Sequence, residues 1–168
     1  MPLARLRSLF SVALVAALLV LGGAFYLEFA LGLAPCPLCQ TQRFFLGAFA
    51  IVCLWGALRP AAAPGARLSG GLALGLALAG ALLAARQVWL QGRTLPGETE
   101  CLHPLGYLIE HASLGELLEA LLLGTRECVV MTWSFLDLSV PEWSLLAFLA
   151  LAGLALTYLV SALDAGKR

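Results

Sequence analysis

The chain has 168 residues, 61% of them hydrophobic, with a mean hydropathy of +0.94 and ten basic residues balancing ten acidic ones. That composition excludes an ordinary soluble domain, and zero net charge without a basic tract gives no footing for nucleic acid. What remains is a membrane protein with one sizeable polar segment.

Four uncharged runs organise the chain: Ser8–Leu27, Phe44–Leu58, Leu68–Ala85 and Trp143–Leu163. About 20 residues at 1.5 Å each cross the hydrocarbon of a bilayer, where only helices or closed barrels satisfy the backbone. None of the runs alternates like a barrel strand. The reading is an all-α membrane protein, a single four-transmembrane-helix bundle over residues 1–168. Its spans are predicted at about 8–27, 38–58, 68–90 and 143–163, with outer loops at about 28–37 and 91–142.

Arg5 and Arg7 before the first run would also suit a cleaved leader. The run is longer than a usual signal core, however, and Leu21-Gly22-Gly23-Ala24-Phe25 is a poor cleavage site, so a retained span is expected. Glu28 closes this span and reads as an exposed cap, with assistance to proton movement as its other role.

Cys36-Pro37-Leu38-Cys39 follows, between the first two spans. Two intervening residues permit a small disulfide ring, and a helix starting there directs its amide dipoles at the sulfurs, favouring thiolate. Pro37 suits a first helical turn, where no amide donor is required. The other reading is half a zinc site completed by Cys101, Cys128, His103 or His111, but the spacing between the pairs matches no zinc module. No metal is assigned.

Phe44–Leu58 is only 15 residues, about 22 Å of helix, so span two must begin near Leu38. Arg43 then lies more than one turn inside the outer end, where an ionisable residue is a functional candidate by default. It follows Cys39 by four residues, on the same helix face, and would stabilise a thiolate or a carrier reduced beside it. The alternative is that Arg43 snorkels to headgroups. Cys53, mid-span, reads as an inert core residue.

Pro60 to Gly65 turns the chain back into span three, which carries Gly71-x-x-x-Gly75 and then Gly80, a pattern allowing close backbone approach. Beyond it, Gly92–Glu142 holds eight carboxylates together with Cys101 and Cys128. Those cysteines enclose 26 residues, and cross-linking them would stabilise by about 3.5 kcal/mol in the chain-entropy model. A structural staple is the plain reading of that pair alone. Leu114, Leu117, Leu118, Leu121 and Leu122 recur at helical spacing, predicting a short amphipathic helix on the bilayer surface or the bundle top. Tyr26, Trp89, Trp133 and Trp143 fall near outer boundaries, as interfacial aromatics do, and His103 and His111 read as polar loop residues.

A chain crossing a bilayer alternates sides, so the first and third connections, with all four loop cysteines, emerge on one face. Arg5, Arg7, Arg59, Arg67, Lys167 and Arg168 lie on one side, against Arg43, Arg86, Arg93 and Arg126 on the other. By the positive-inside rule both termini are cytoplasmic and both cysteine loops face outward.

Three stretches carry a family resemblance: Leu33 to Arg43 (LAPCPLCQTQR), Arg86 to Gln91 (RQVWLQ) and Glu127 to Trp143 (ECVVMTWSFLDLSVPEW). With the order of spans and cysteines, they make the chain resemble the DsbB family, disulfide bond formation protein B of bacterial inner membranes. The resemblance implies a quinone-dependent protein-disulfide oxidoreductase with periplasmic cysteine loops. Its redox-active disulfides would be Cys36–Cys39 and Cys101–Cys128. A reduced thioredoxin-like dithiol oxidase (DsbA-like) would attack Cys101; Cys128 would then attack Cys36, and the freed Cys39 thiolate would meet a quinone, ubiquinone or menaquinone, near Arg43. Leu90 is a candidate for the quinone pocket. Some relatives carry a histidine shortly after span three where this chain has Gln91-Gly92-Arg93, so no quinone-binding histidine is assigned. Two other readings stand beside this one. One is a vitamin K epoxide reductase-like thiol–quinone enzyme, disfavoured because the short pair precedes span two. The other is a non-catalytic scaffold stapled by disulfides.

Overall fold

A computed structural model describes residues 2–33, 35–58, 65–91, 113–124 and 134–165. Four long helices dominate it: α1 (Pro2–Phe29), α2 (Pro37–Leu58), α3 (Gly65–Gln91) and, after the shorter α4 (Leu114–Leu123), α5 (Val140–Ala165). Each long helix contains a segment long and apolar enough to cross a membrane, of 22 to 27 residues or about 33 to 40 Å. They outrun the uncharged runs because Glu28, Arg67, Arg86 and Glu142 are carried within helix ends. Membership of a bundle also lets α2 begin at Pro37 and take Arg43 into its second turn.

The principal contacts run α1–α2, α2–α3, α3–α5 and α5–α1, which closes a four-helix ring of alternating direction. Its core is built mainly of small and aromatic side chains: Ala13 and Ala17, Phe49 and Cys53, Ala73, Ala77 and Ala84, Phe148 and Tyr158. Larger aliphatic and aromatic residues such as Leu19, Phe44, Ile51 and Leu82 point outward. An apolar exterior around a core of small residues is the arrangement lipid favours, since tight backbone approach rather than water exclusion holds such helices together.

The small-residue face of α3 differs from the one the Gly71/Gly75 pattern suggested. A Cβ at Gly71 or Gly75 would meet nothing within 4 Å, whereas at Gly80 it would fall 2.2 Å from Phe148 Cε1 and at Gly70 3.0 Å from Tyr158 Cδ1. At about 100° per residue Gly71 and Gly80 lie on opposite sides of the helix. The buried stripe is Gly70, Ala73, Ala77, Gly80, Ala81 and Ala84, and it continues into Gln87 and Gln91.

At the cysteine-bearing end, Gly32 adopts φ +68, a left-handed conformation that releases the chain from α1. A two-stranded hairpin, β1 (Ser134–Phe135) and β2 (Leu138–Ser139), leads into α5 through a turn at Leu136 and Asp137, both at positive φ. Ser139 caps α5: its amide donates to Glu142 Oε2 at 2.6 Å, while its hydroxyl lies 2.8 Å from the same oxygen and 3.0 Å from Gln91 Oε1. This ties the end of α3 to the start of α5.

The amphipathic segment forms α4, opened by a capping box in which the Ser113 amide donates to Glu116 Oε2 at 2.8 Å and Glu116 N–H donates to Ser113 Oγ at 3.4 Å. Its last carbonyls dock on the bundle. Thr41 Oγ1 donates to Leu121 O at 3.0 Å and Arg86 Nε to Leu123 O at 3.3 Å, placing a cation at the negative end of the helix. Leu114, Leu118 and Leu122 stay exposed. The helix therefore rests on the bundle top through its C-terminal turn and keeps an apolar face outward.

Candidate functional site

Cys36 and Cys39 sit at the start of α2, where the Gln40 amide donates to Cys36 O at 3.1 Å in the first turn. Cys36 thus occupies the N-cap and Cys39 the third helical position, so both sulfurs lie at the positive end of the helix dipole. The sulfurs are 3.0 Å apart, with Cys36 donating to Cys39.

Both sulfurs meet α3 through one side chain. Gln87 Nε2 lies 3.3 Å from Cys36 Sγ and 3.2 Å from Cys39 Sγ, so its two N–H groups address the pair. Gln87 Oε1 accepts from Gln42 Nε2 at 2.7 Å, and from Cys39 Sγ at a longer 3.7 Å. Both glutamines are buried, Gln42 at 5% exposure and Gln87 at 3%. The Gln42 donor occupies the carbonyl end of Gln87 and so turns its amide end toward sulfur.

Arg43 faces the other way. Its guanidinium pairs with Glu28 through Nη1, donates from Nη2 to Ala24 O at 2.8 Å and lies 5.1 Å over the Phe25 ring. The Arg43 side chain is 14% exposed and that of Glu28 25%. The expectation of an exposed Glu28 cap is corrected: Glu28 is the ion-pair partner of Arg43, reached because α1 remains helical through Phe29. Cys39 and Arg43 share a face of α2 by count, yet the sulfur contacts α3 and the long guanidinium stem reaches α1.

Leu90 lies at the joint of three helices. A Cβ on Gly124, at the end of α4, would fall 2.4 Å from Leu38 Cδ1 and 3.0 Å from Leu90 Cδ1, so the positive φ of Gly124 and this close approach both require glycine. Cys53 is fully buried in the core. Trp89, Trp143 and Tyr26 are exposed near the same end; Trp89 stacks under Arg86 at 5.0 Å, and Trp143 Nε1 donates to Phe135 O at 3.0 Å. Cys101, Cys128, His103, His111 and Trp133 lie outside the described residues.

The residue that sequence reasoning passed over is Gln87. A search for charged and thiol groups ignores an amide, but its phase was readable: it lies three residues after Ala84, on the small-residue stripe of α3.

The family model described as disulfide bond formation protein DsbB matches residues 6–158. The chain is 50% identical over 163 residues to disulfide bond formation protein B 2 of Pseudomonas entomophila, covering 96% of this chain and 95% of that one. It is 42% identical over 156 residues to disulfide bond formation protein B 1 of Pseudomonas aeruginosa, covering 93% and 96%. It is 37% identical over 156 residues to disulfide bond formation protein B of Methylococcus capsulatus, covering 93% and 95%. No solved structure matches the chain.

Proposed function

The chain belongs to the DsbB family, a multi-pass membrane disulfide bond formation protein, and from that membership and the sulfur geometry we propose how it works. It reoxidises a soluble DsbA-like dithiol oxidase in the periplasm and passes the electrons to a membrane quinone. The chain lies in the bacterial inner membrane, with both termini cytoplasmic. The observation that carries this reading is the Cys36/Cys39 pair at the rim of an apolar bundle, one helical turn from a cation held inside the span.

In this reading Cys101 and Cys128 form the disulfide that meets the soluble partner. Partner thiolate attack on Cys101 breaks that bond and releases Cys128 as a thiolate. Cys128 attacks Cys36 Sγ, the Cys36–Cys39 bond breaks, and Cys39 departs with the electron pair. Each transfer is thiolate attack on a disulfide, and in the bacterial periplasm a relay of this type delivers its electrons to quinone.

The chain's own residues suit a quinone. Arg43 supplies a cation with planar donors, the Phe25 ring offers a flat neighbour, and exposed Phe25, Phe29 and Phe44 open the place toward lipid. A bound quinone would accept two electrons and two protons. Arg43 would orient a carbonyl oxygen, Glu28 would hold the guanidinium in place, and Leu90 is a candidate for lining the pocket.

The test is turnover by purified protein supplied with quinone and a reduced soluble dithiol oxidase. Cys→Ser at 36, 39, 101 or 128 should each abolish it, Cys53→Ser should not, and Arg43→Leu should weaken quinone use more than thiol exchange. Full activity of Cys36→Ser and Cys39→Ser would eliminate the scheme.

A further inference from the structure

We propose that Gln87 is the hydrogen-bond donor that stabilises Cys39 as a thiolate when the Cys36–Cys39 bond opens, with Gln42 fixing its orientation. The inference rests on the proposed redox role of that pair and assigns to an uncharged residue of α3 the control of its reduction potential.

Three observations carry it. The Gln87 amide nitrogen is within 3.3 Å of both sulfurs. The side chain is 3% exposed, so water competes little for its N–H groups. Gln42 donates to its carbonyl oxygen at 2.7 Å, which holds the amide face toward sulfur in advance. Arg43, the charge expected to serve Cys39, has its contacts on α1.

Chemically, an incoming thiolate bonds to Cys36 Sγ, the Cys36–Cys39 bond breaks, and its electron pair leaves on Cys39 Sγ. The new anion then lies against a preset N–H donor, and no atom has to move far to solvate it. Hydrogen bonds to charged groups are roughly twice as strong as neutral ones, so the donor favours the reduced, thiolate form over the disulfide. The pair is thereby made more oxidising, as a disulfide that must accept electrons from a soluble dithiol requires.

The test uses the full-length protein in detergent with Cys101 and Cys128 replaced by alanine, so that a single dithiol titrates. The Cys36–Cys39 equilibrium is measured in dithiothreitol redox buffers, and the alkylation rate of the reduced pair with iodoacetamide is followed across pH. In Gln87→Leu the equilibrium should shift about tenfold toward disulfide, about 30 mV for a two-electron couple, and the alkylation profile should move to higher pH. Gln87→Met keeps the length of the side chain without an N–H donor, so it should shift the equilibrium in the same direction and by a similar amount. Gln42→Leu should give a smaller shift of the same sign. Unchanged equilibrium and alkylation profile in folded Gln87→Leu overturns the proposal, and if that variant fails to fold, an unchanged Gln87→Met does so. Neither measurement involves quinone or a soluble oxidase, so failure here is distinct from failure of the proposed turnover.

Discussion

Replacing Gly80 with alanine should loosen the α3–α5 contact on which the site depends. The added Cβ would lie 2.2, 2.4 and 2.6 Å from three atoms of the Phe148 ring, where ordinary contact begins near 3.4 Å. Roughly 1.2 Å of movement is needed, and Phe148 is 3% exposed in the core, where close packing resists such a shift. Overpacking of this kind costs about 1–3 kcal/mol, against which alanine regains about 0.5–1 kcal/mol over glycine within a helix. The expected net loss is about 0–2.5 kcal/mol, and about 1–3 kcal/mol relative to an alanine that meets no neighbour. Gly75→Ala is the matched control, since its Cβ would meet nothing within 4 Å and should be neutral or slightly stabilising. Reversible unfolding in mixed micelles measures both. Gly80→Ala/Phe148→Leu, which removes the clashing ring edge, should show a favourable coupling energy beyond the single variants. Equal stability of Gly80→Ala and Gly75→Ala would refute the packing argument. Gln87 is two turns along the same helix, so the Gly80 variant should also perturb Cys36/Cys39 reactivity, and the Gly75 variant should not.

Truncating Glu28 should expose the dependence of Arg43 on its partner. The pair is neither surface nor fully buried, so Glu28→Ala should cost about 1–3 kcal/mol, and a Glu28→Ala/Arg43→Leu cycle should return a coupling energy of comparable size; additive losses would mean that the ion pair contributes nothing. The second prediction concerns pH. The Ser113 amide, followed by its hydroxyl, holds the Glu116 carboxyl below the ordinary value of 4.5. Its contribution to α4 is therefore full above that value and is lost as pH falls through the depressed folded value. Hydrogen exchange of the α4 amides, corrected for intrinsic rates, should show less protection near pH 3 than near pH 7 in the native chain and no such difference in Glu116→Ala, which removes the titrating group; identical protection in the native chain at both pH values would contradict the capping argument.

The bundle was legible in the sequence because lipid imposes length and apolarity on each span, and Arg43 beside a run of only 15 uncharged residues fixed where α2 had to start. The motif at Cys36 and Cys39 was legible for a similar reason: a two-residue spacing at a helix start has few uses. Which glycines mattered was not. Gly71 and Gly75 satisfy the familiar spacing, but their phase turns them outward, and only tertiary packing reveals that Gly70 and Gly80 meet the rings of Tyr158 and Phe148. Glu28 reads as exposed because one-dimensional reasoning ends the helix at the first charge, whereas pairing with Arg43 lets α1 carry that charge within the bundle. The hairpin at Ser134–Ser139 left little signal, since Leu136-Asp137 lacks the glycine or asparagine that usually marks positive φ.

The separation of Cys39 and Arg43 onto different neighbours has a chemical consequence. A guanidinium beside a thiol would favour the thiolate by lowering its pKa, and a lower pKa also reduces its intrinsic nucleophilicity. An amide donor contacts the sulfur without a full counter-charge, while the guanidinium is paired with Glu28 on α1. The order of small residues on α3 makes this possible. Alanines and glycines bring α3 close to its neighbours along its length, and the stripe ends in Gln87 and Gln91 at the level where the helices meet the cysteines. Gln91 ties that end to Ser139 of α5, and Gln42 ties it to α2. The Gln87 donor facing the sulfurs is thus fixed by Gln42, and the end of its helix is tied to α5 through Gln91, both by neutral hydrogen bonds.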